Sequence, residues 1–254
     1  MPQRTDPSQR DRVAIEPARR LQAVVTDAPR WIEQAQALRH EVFLPDTTVT
    51  ASAGRQEADR FDAHCEHLVV IDRAADNVVG YTRVLTPEGA ARAGGYYSQT
   101  EFELGAVLGL PGRFIELGRT CIHPRYRSGA TLAVLWQGVA QLFSHTRGDY
   151  LIGCGSIPLA CGIGAIHAMI ANITPDRRLP EELAVATRHP LPAPDGTIVP
   201  PLPLPPLLRT YLRVGARVSG QAYWDRDFDC ADLFVLLPRR QLADRYARHF
   251  SVAA

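Results

Sequence analysis

Stretches in which apolar residues recur at helical spacing predict four helices. The strongest is Thr131–Ser144, where the apolar side chains form one stripe and the glutamines lie off it. Trp31–Val42 places its apolar residues on one face in the same way. Two further helices are predicted near Leu207–Val218 and at Arg240–Phe250. Each helix therefore has an apolar face that requires a second layer of structure to pack against.

Short runs rich in β-branched residues predict the strands of one sheet. His67–Ile71 and Val78–Leu85 flank the polar turn Asp72–Asn77, a pattern typical of an antiparallel hairpin. Three more strands are predicted, at Phe114–Ile122, Tyr150–Cys154 and Leu233–Leu237. Because strands alternate with helices and some are joined as hairpins, the pattern predicts an α/β (α+β) fold with a mixed sheet.

Three segments lack this periodicity and are predicted to be irregular. Residues 1–20 are polar and rich in arginine and proline, which indicates a disordered tail. Asp46–Asp62 is predicted to be a loop, and the proline-dense stretch Leu179–Pro206 an irregular connector. In a chain of 254 residues, we expect the remainder, residues 21–254, to form a single domain.

The basic residues narrow the chemistry, because all 28 are arginine and lysine is absent. Without lysine the protein cannot form a lysine Schiff base, hold pyridoxal phosphate covalently or use a Walker-type phosphate lysine. Arginine stays protonated in proteins, so proton transfer falls to carboxylates, histidine, cysteine or tyrosine. The formal net charge of +1 also argues against a nucleic-acid partner.

Cysteine usage and the N-terminal residues indicate the compartment. The five cysteines are scattered and include no CxxC pair, which favours reduced thiols over disulfides or a zinc site. The N-terminal residues contain no apolar run typical of a signal peptide, and no stretch reaches the roughly 20 apolar residues of a membrane span. We therefore expect a cytoplasmic protein.

The segment from Glu116 to Ala130 carries the most chemistry. It predicts a strand that bears Glu116 and Arg119, then a turn with Arg125 and Arg127, then the start of the strongest helix. Free N–H groups at a helix start attract anions, so the segment suits a pyrophosphate or the phosphate of a pantetheine arm. An ordinary helix cap is the alternative interpretation.

Four motifs in this part of the chain carry a resemblance to a known family. They are Glu-Leu-Gly-Arg at 116–119, Pro-x-Tyr-Arg at 124–127, Leu-Trp-Gln-Gly at 135–138 and Gly-Cys-Gly-Ser at 153–156. Together they resemble the GNAT-superfamily N-acyltransferases that take acyl chains from acyl carrier protein, above all the ornithine N-acyltransferases of ornithine-lipid synthesis. Further matching motifs extend the resemblance over roughly residues 30–250, at 59–68, 79–85, 94–102, 211–216 and 227–232.

The acyl-homoserine-lactone synthases, a sister group, share a sparser pattern with this chain. It comprises Arg39 with Phe43, Asp59 with Asp62, Arg83, and Glu116 with Arg119. Both groups join an acyl-carrier thioester to the α-amino group of an amino acid or a derivative. Ala130 and Leu132 replace the small residues usual in the superfamily's pyrophosphate loop, which favours a carrier-protein thioester over coenzyme A.

The resemblance implies a GNAT-like, mostly antiparallel twisted sheet with flanking helices and a splay between two central strands. Residues of about 60–160 would form the acyl-donor-binding core, and about 161–254 an elaborated C-terminal half. The residues implied to be catalytic are Glu116, Arg119 and Ser156. The implied acceptor-binding residues are Arg39, Phe43, Asp59, Asp62 and Arg83. The implied pantetheine-binding residues are Ile122, His123, Arg125, Arg127, Ser128, Gly129, Ala130 and Thr131.

Structural alternatives accompany these roles. Glu116 and Arg119 would, in the alternative, belong to an ion-pair network that holds the sheet to the N-terminal loop. Asp59 and Asp62 would then lie in a solvated acidic loop, and Ser156 in a turn or a helix cap. No metal site is expected, and no cofactor is implied, because the acyl thioester is a co-substrate.

The residues and the resemblance together predict an amide-forming acyltransferase. It would move a long, optionally 3-hydroxylated acyl chain from acyl carrier protein, or alternatively from coenzyme A, to the α-amino group of an amino acid such as ornithine. The product would be an N-acyl amino acid or a lyso-aminolipid. The alternatives are a signal synthase of the acyl-homoserine-lactone type and a catalytically silent module that binds acyl chains or the carrier protein. The last predicted helix is expected to pack internally, with peripheral membrane contact as its alternative role.

Overall fold

A twisted sheet of eight strands dominates the computed structural model, which describes residues 20–44, 56–127, 129–194, 196, 200 and 202–241. The strands in these ranges are β1 (Leu21–Thr26), β2 (Glu66–Asp72), β3 (Asn77–Leu85), β4 (Phe102–Glu103), β5 (Phe114–Ile122), β6 (Tyr150–Pro158), β7 (Ala186–Thr187), β8 (Arg217–Val218), β9 (Tyr223–Asp225) and β10 (Cys230–Pro238). The main sheet has the order β1-β2-β3-β5-β6-β10-β8, with β9 beside β10, while β4 and β7 pair separately.

The helices lie on both faces of this sheet. They are α1 (Pro29–Phe43), α2 (Pro87–Ala93), α3 (Gly105–Leu108), α4 (Gly129–His145), α5 (Ile163–Ala171) and α6 (Pro206–Arg213). Neighbouring residues of β2 pack with different helices. Leu68 lies in the hydrophobic cluster that includes Leu135 of α4. Its neighbour Val69 packs in the cluster that includes Leu38 of α1. Because successive strand residues point to opposite faces, α1 and α4 cover the two sides of the sheet.

The predicted fold class is confirmed: the sheet is mixed, mostly antiparallel and flanked by helices. The predicted hairpin is β2–β3, with Val69 opposite Tyr81. The predicted strand Phe114–Ile122 matches β5, and the predicted helices Trp31–Val42 and Thr131–Ser144 lie within α1 and α4. These elements carried the clearest periodicity in the sequence.

Several boundaries differ from the predictions, and several elements were not predicted at all. The strand β6 continues past Cys154, and the helix predicted at Leu207–Val218 ends at Arg213. It ends there because Gly215 takes φ 102°, a left-handed conformation, before β8 joins the sheet. The strand β1 and the helix α5 were not predicted. The sequence of α5 is apolar almost all round, so it has no polar face that would reveal a helical period.

Parts of some predictions lie outside the described residues. They are residues 1–19 of the predicted tail, 46–55 of the predicted loop, Ser128, residues 195, 197–199 and 201 of the predicted connector, and 242–250 of the last predicted helix. Among the helices that are described, none combines the length and the apolar content that crossing a bilayer requires.

Candidate functional site

The central strands β5 and β6 run parallel, but their ladder ends before the strands do. The last paired residues are Leu117 and Gly153, while β5 continues to Ile122 and β6 to Pro158. A side chain at Gly153 would collide with the Leu117 carbonyl oxygen, so the two backbones are in close contact where pairing stops. Beyond this point the strands separate, and the backbone edges that face the gap have no ladder partner across it.

A β-bulge at Arg119 bends β5 beside this gap. Tyr81 of β3 pairs with Cys121, and Arg83 pairs with Gly118, so β5 has one extra residue between these pairs. Arg119 takes φ 54°, in the left-handed region that residues other than glycine rarely adopt. The bulge therefore interrupts the alternation of side chains between the two faces of β5 at Arg119.

A cavity of about 640 Å³ lies at the gap between β5 and β6. This volume falls in the range of roughly 300–1,000 Å³ typical of small-molecule sites. The charged residues that line it are Arg119, Asp225, Asp227, Asp229 and Asp232. Four carboxyl groups face one guanidinium, so the lining favours a ligand that carries more positive than negative charge.

Two of the predicted residues besides Arg119 also line the cavity. Ser156 lies on β6 beyond the end of the parallel ladder, and Phe43 lies at the end of α1. The Phe43 ring makes an edge contact with Phe228, at 6.1 Å between ring centroids. The structure thus brings together one residue from each of three distant parts of the chain.

Four other predicted residues, Arg39, Arg83, Asp59 and Asp62, form a buried ion-pair network with Glu57. The Arg39 guanidinium donates to Glu57 Oε2 at 2.6 Å and to Asp62 Oδ1 at 2.7 Å. The Arg83 guanidinium donates to Asp59 Oδ1 at 2.5 Å and to Asp62 Oδ1 at 3.2 Å. Burial alone would raise the pKa of Asp59 and Asp62, but the arginines lower it overall. None of these four predicted acceptor-binding residues lines the cavity.

Arg119 links this network to the cavity. Its guanidinium donates to Glu57 Oε1 at 3.2 Å and to Asp59 Oδ2 at 3.1 Å. It also lies 4.4 Å from the ring centroid of Phe228 and 4.8 Å from that of Tyr97. Arg119 therefore takes part in the ion-pair network that the sequence offered as an alternative, and it presents its charge to the cavity as well.

Glu116 is buried and does not line the cavity. Its carboxylate accepts hydrogen bonds from the Tyr97 N–H at 2.6 Å, the Ser98 N–H at 2.8 Å and the Ser98 hydroxyl at 2.5 Å. Burial raises the pKa of Glu116, and these hydrogen bonds oppose the rise. The observed contacts fasten the helical turn Tyr97–Thr100 to β5, and the acid–base role of Glu116 stays a prediction.

Two buried acids near the cavity, Asp232 and Glu101, were not among the predicted site residues. Asp232 lines the cavity from β10 and is 4% exposed. Burial raises its pKa to about 6, and the charge of Asp225 adds to the rise, while the Ser156 hydroxyl and Arg119 oppose it. Both acids fall inside motifs that carry the family resemblance, at 94–102 and 227–232. An acidic residue inside such a motif was the sequence signal that could have identified them.

Glu101 is 2% exposed, and burial together with the charge of Asp232 raises its pKa well above the ordinary value. The Tyr97 hydroxyl and the Cys154 thiol act on its pKa in the opposite direction. Neither Glu101 carboxyl oxygen, however, has a partner at hydrogen-bond geometry among the described residues. A buried carboxyl without such a partner favours its protonated form.

One group of potential metal ligands occurs among the described residues, formed by Asp225, Cys230 and Asp232. Their ligand atoms lie within 4.8 Å of one another. The Cys230 thiol donates to Asp232 Oδ1 at 3.8 Å, and burial raises the pKa of this thiol. Carboxylate oxygens also accept hydrogen bonds from an ammonium group, so the two aspartates of this group can bind an amine as well as a metal ion.

The predicted pantetheine-binding residues lie around the turn between β5 and α4, away from the cavity lining. Arg125 is exposed, and its N–H donates to the His123 ring at 3.2 Å. The Arg127 guanidinium donates to the Ile122 carbonyl at 3.2 Å. Thr131 is fully buried, so its hydroxyl faces the protein interior and not a ligand at the surface. The exposed residues at the start of α4 are Gly129 and Ala130.

Comparison with known proteins bears on the chemistry. The family described as acetyltransferase (GNAT) domain matches residues 38–137. The L-ornithine N(alpha)-acyltransferase of Rhizobium meliloti (strain 1021) is 36% identical, over 88% of this chain and 81% of the relative. The protein of the same name from Brucella abortus (strain 2308) is 32% identical, over 92% of this chain and 90% of the relative.

Solved structures share the fold at low identity. FeeM, an N-acyl amino acid synthase from uncultured soil microbes, aligns with a TM-score of 0.52 at 13% identity, over 89% of this chain and 94% of that one. BjaI, a coenzyme A-dependent acyl-homoserine lactone synthase, aligns with a TM-score of 0.50 at 14% identity, over 90% of this chain and 88% of that one.

Proposed function

Because the chain belongs to the L-ornithine N(alpha)-acyltransferase family, a group of amide-forming GNAT acyltransferases, we propose that it acylates the α-amino group of ornithine. The proposed donor is a long acyl chain, optionally 3-hydroxylated, held as a thioester on acyl carrier protein. The product is then an N-acyl ornithine, a lyso-aminolipid.

The charge of the cavity is the observation that carries this proposal. Ornithine brings two ammonium groups and one carboxylate at neutral pH. In the part of the chain that the structure describes, the lining offers the complementary set, with four aspartates and the guanidinium of Arg119. A planar guanidinium suits bidentate pairing with the acceptor carboxylate. The aspartates then remain for the two ammonium groups, which is the arrangement a dibasic acceptor requires.

The gap between β5 and β6 supplies the second requirement, a place for the thioester. The amine attacks the thioester carbonyl, the C–N bond forms, the C–S bond breaks, and the carbonyl oxygen bears negative charge in between. Backbone N–H groups on the strand edges beyond Leu117 and Gly153 have no ladder partner across the gap. Donors of this kind stabilise such an oxygen, by about 3 kcal/mol each where one has been removed by mutation.

The carrier protein would dock through a local patch, because the chain has a formal net charge of only +1. The exposed arginines of the turn between β5 and α4, Arg125 and Arg127, provide positive charge next to the β5 end of the gap. We expect the double variant Arg125→Ser/Arg127→Ser to raise KM for the acyl carrier protein about tenfold. The rise in KM should be larger at low salt, because salt screens the attraction between exposed charges. Arg92→Ser, at an exposed arginine of α2, is the matched control.

A reconstituted assay tests the reaction itself. Purified protein is incubated with 3-hydroxyacyl carrier protein, or with the same acyl group on coenzyme A, and with one amine acceptor at a time. The acceptors are ornithine, lysine, norvaline and S-adenosylmethionine, and the products are identified by mass spectrometry. Norvaline is ornithine without its side-chain amine, so acylation of ornithine far above norvaline supports the dibasic acceptor. Acylation of S-adenosylmethionine alone would assign the protein to signal synthesis, and no product with any acceptor would reject the proposal.

A further inference from the structure

Asp232 occupies a position from which an amine bound in the cavity can lose a proton. It lines the cavity from β10, opposite Ser156 on β6 and beyond the last paired residue of the parallel ladder. We propose that Asp232 accepts the proton that the α-ammonium group of the acceptor must lose. This inference rests on the proposed transfer of an acyl group to an amine.

The contacts of Glu116, the acid suggested by sequence, favour a different role for that residue. Its two carboxylate oxygens already accept three hydrogen bonds, from the backbone of Tyr97 and from the backbone and hydroxyl of Ser98. Proton transfer to Glu116 would weaken these bonds, and the side chain does not reach the cavity lining. Asp232 meets both conditions that Glu116 lacks, since it lines the cavity and has fewer hydrogen-bond donors around it.

The groups that face Asp232 are mostly acidic or neutral. Among the described residues they are Asp225 and Tyr223 of β9, Cys230 of its own strand, Ser156 and Cys154 of β6, Glu101, and the cation Arg119 of β5. This setting raises the pKa of Asp232 to about 6. A base with such a pKa is mostly ionised at neutral pH and still holds a transferred proton well, which is the compromise that general-base catalysis favours.

Glu101 contributes by keeping the charge on Asp232. Two buried carboxyls that act on each other do not both ionise readily, so one proton stays between them. The Glu101 carboxyl is 2% exposed, and neither of its oxygens has a hydrogen-bond partner among the residues that the structure describes, so it is the member that holds this proton. Glu101 is therefore the neutral member of the pair, and Asp232 is the ionised acceptor.

The proton balance of the reaction is then complete. The ammonium group gives one proton to the Asp232 carboxylate and becomes a neutral amine. After the amine attacks the thioester, the nitrogen loses a second proton as the C–S bond breaks, and the leaving thiolate takes it up. Asp232 releases its own proton to solvent when the product leaves. One ammonium and one thioester thus give one amide, one thiol and one proton.

The test compares pH profiles of kcat/KM for the wild type and for three isosteric variants, Asp232→Asn, Glu101→Gln and Glu116→Gln. Each variant is assayed with an amine that the wild type acylates. An error in the proposed acceptor would therefore be seen in the acceptor panel and would not affect this comparison. We expect the wild-type rate to fall below pH of about 6. Asp232→Asn should lower kcat about 100-fold or more at pH 7, the size typical of a lost general base, and should remove this decline. Activity should partly return near pH 10, where free amine is present.

The other variants separate the alternatives. Glu101→Gln resembles a protonated carboxyl, so it should keep most of the activity and the decline near pH 6. Glu116→Gln should keep the decline too, and Glu182→Gln, at an exposed acid outside the cavity, is the matched control. Loss of the decline in Glu116→Gln or Glu101→Gln, with its retention in Asp232→Asn, would overturn the proposal. If Asp232→Asn fails to fold in a thermal melt, the other two variants decide: the decline kept in both supports the proposal, and its loss in Glu116→Gln or Glu101→Gln overturns it.

Discussion

Asp232 pairs directly with Ser156 across the antiparallel ladder of β6 and β10. Residues opposite each other in a ladder project from the same face of the sheet, so both side chains reach the same cavity. One member comes from the glycine-rich motif at 153–156 and the other from the acidic motif at 227–232. The pairing explains how two motifs far apart in the sequence serve one site.

The stability of the wild type relative to Asp232→Asn should fall as pH rises. The folded-state pKa of about 6 exceeds the ordinary value of an aspartate, so the native state binds this proton more tightly than the unfolded state does. The contribution of Asp232 is therefore fully present below pH of about 4, the ordinary pKa of an aspartate, and is lost as pH rises from there through about 6. Urea unfolding at pH 4, 5, 6 and 7 should show a relative loss of about 2 kcal/mol. A constant difference across this range would contradict the raised pKa.

Replacing Arg83 by methionine should cost stability more than substrate binding. Arg83 is 2% exposed and is bonded to Asp59 and Asp62, each of which would lose one of its two arginine partners. Breaking a buried pair from one side typically costs about 3–5 kcal/mol. Glu88→Gln breaks an exposed ion pair with Arg113, so it should leave the urea midpoint nearly unchanged. A variant Arg83→Met that unfolds like the wild type but binds ornithine poorly would instead support the acceptor-binding role suggested by sequence.

Substituting Glu116 by glutamine should loosen the turn Tyr97–Thr100 and leave chemistry largely intact. The new amide turns two N–H donors toward a site where two backbone N–H groups and one hydroxyl already donate. An unsatisfied or opposed buried group costs about 1–3 kcal/mol. We expect a lower thermal midpoint, faster amide exchange at Tyr97 and Ser98, and kcat within about tenfold of the wild type. Unchanged exchange rates would show that the carboxylate does not hold the turn.

Neutralising the two exposed aspartates at the turn between β9 and β10 should change acceptor preference. Asp227 and Asp229 line the cavity, and asparagine tolerates the left-handed φ of 50° at Asp229. The double variant Asp227→Asn/Asp229→Asn should raise KM for ornithine about tenfold, the effect of losing roughly 1.4 kcal/mol of binding. Its KM for norvaline should stay unchanged, because norvaline lacks the second ammonium group. Equal effects on both acceptors would place the side-chain ammonium elsewhere.

Adding a methyl group at Gly153 should disturb the end of the parallel ladder. An alanine Cβ there would collide with the Leu117 carbonyl oxygen, and backbone must move to relieve the clash. Overpacking of this kind costs about 1–3 kcal/mol. The matched control is Gly105→Ala, where nothing lies within 4 Å of the new atom. Urea unfolding gives both values, and kcat should fall only in Gly153→Ala, because the strand edges beside the cavity move.

The sequence was sufficient for elements with a clear period and a single buried face. Both α4 and the β2–β3 hairpin were predicted, because each has a repeating apolar pattern set by its own geometry. Edge strand β1 and the almost wholly apolar α5 lack such a pattern. Local sequence carries little information about elements whose character depends on what they pack against.

The candidate site was accessible from sequence only in part. The motifs identified Arg119, Ser156 and Phe43, which line the cavity. They did not distinguish these residues from Arg39 and Arg83, which neutralise buried acids. That distinction depends on the bulge at Arg119 and on the register of β10 against β6, which are properties of paired strands and cannot be read from one segment alone.

The strand order has a consequence for how the protein is made. In the sheet β10 lies between β6 and β8, yet it is the last of these strands to leave the ribosome. A nascent chain that already contains the arginine–acid network and the parallel pair still lacks one wall of the cavity and its buried acid. Because the cavity is incomplete without this strand, catalytic competence requires Cys230–Pro238 to dock against β6, and this strand is synthesised after the rest of the cavity wall.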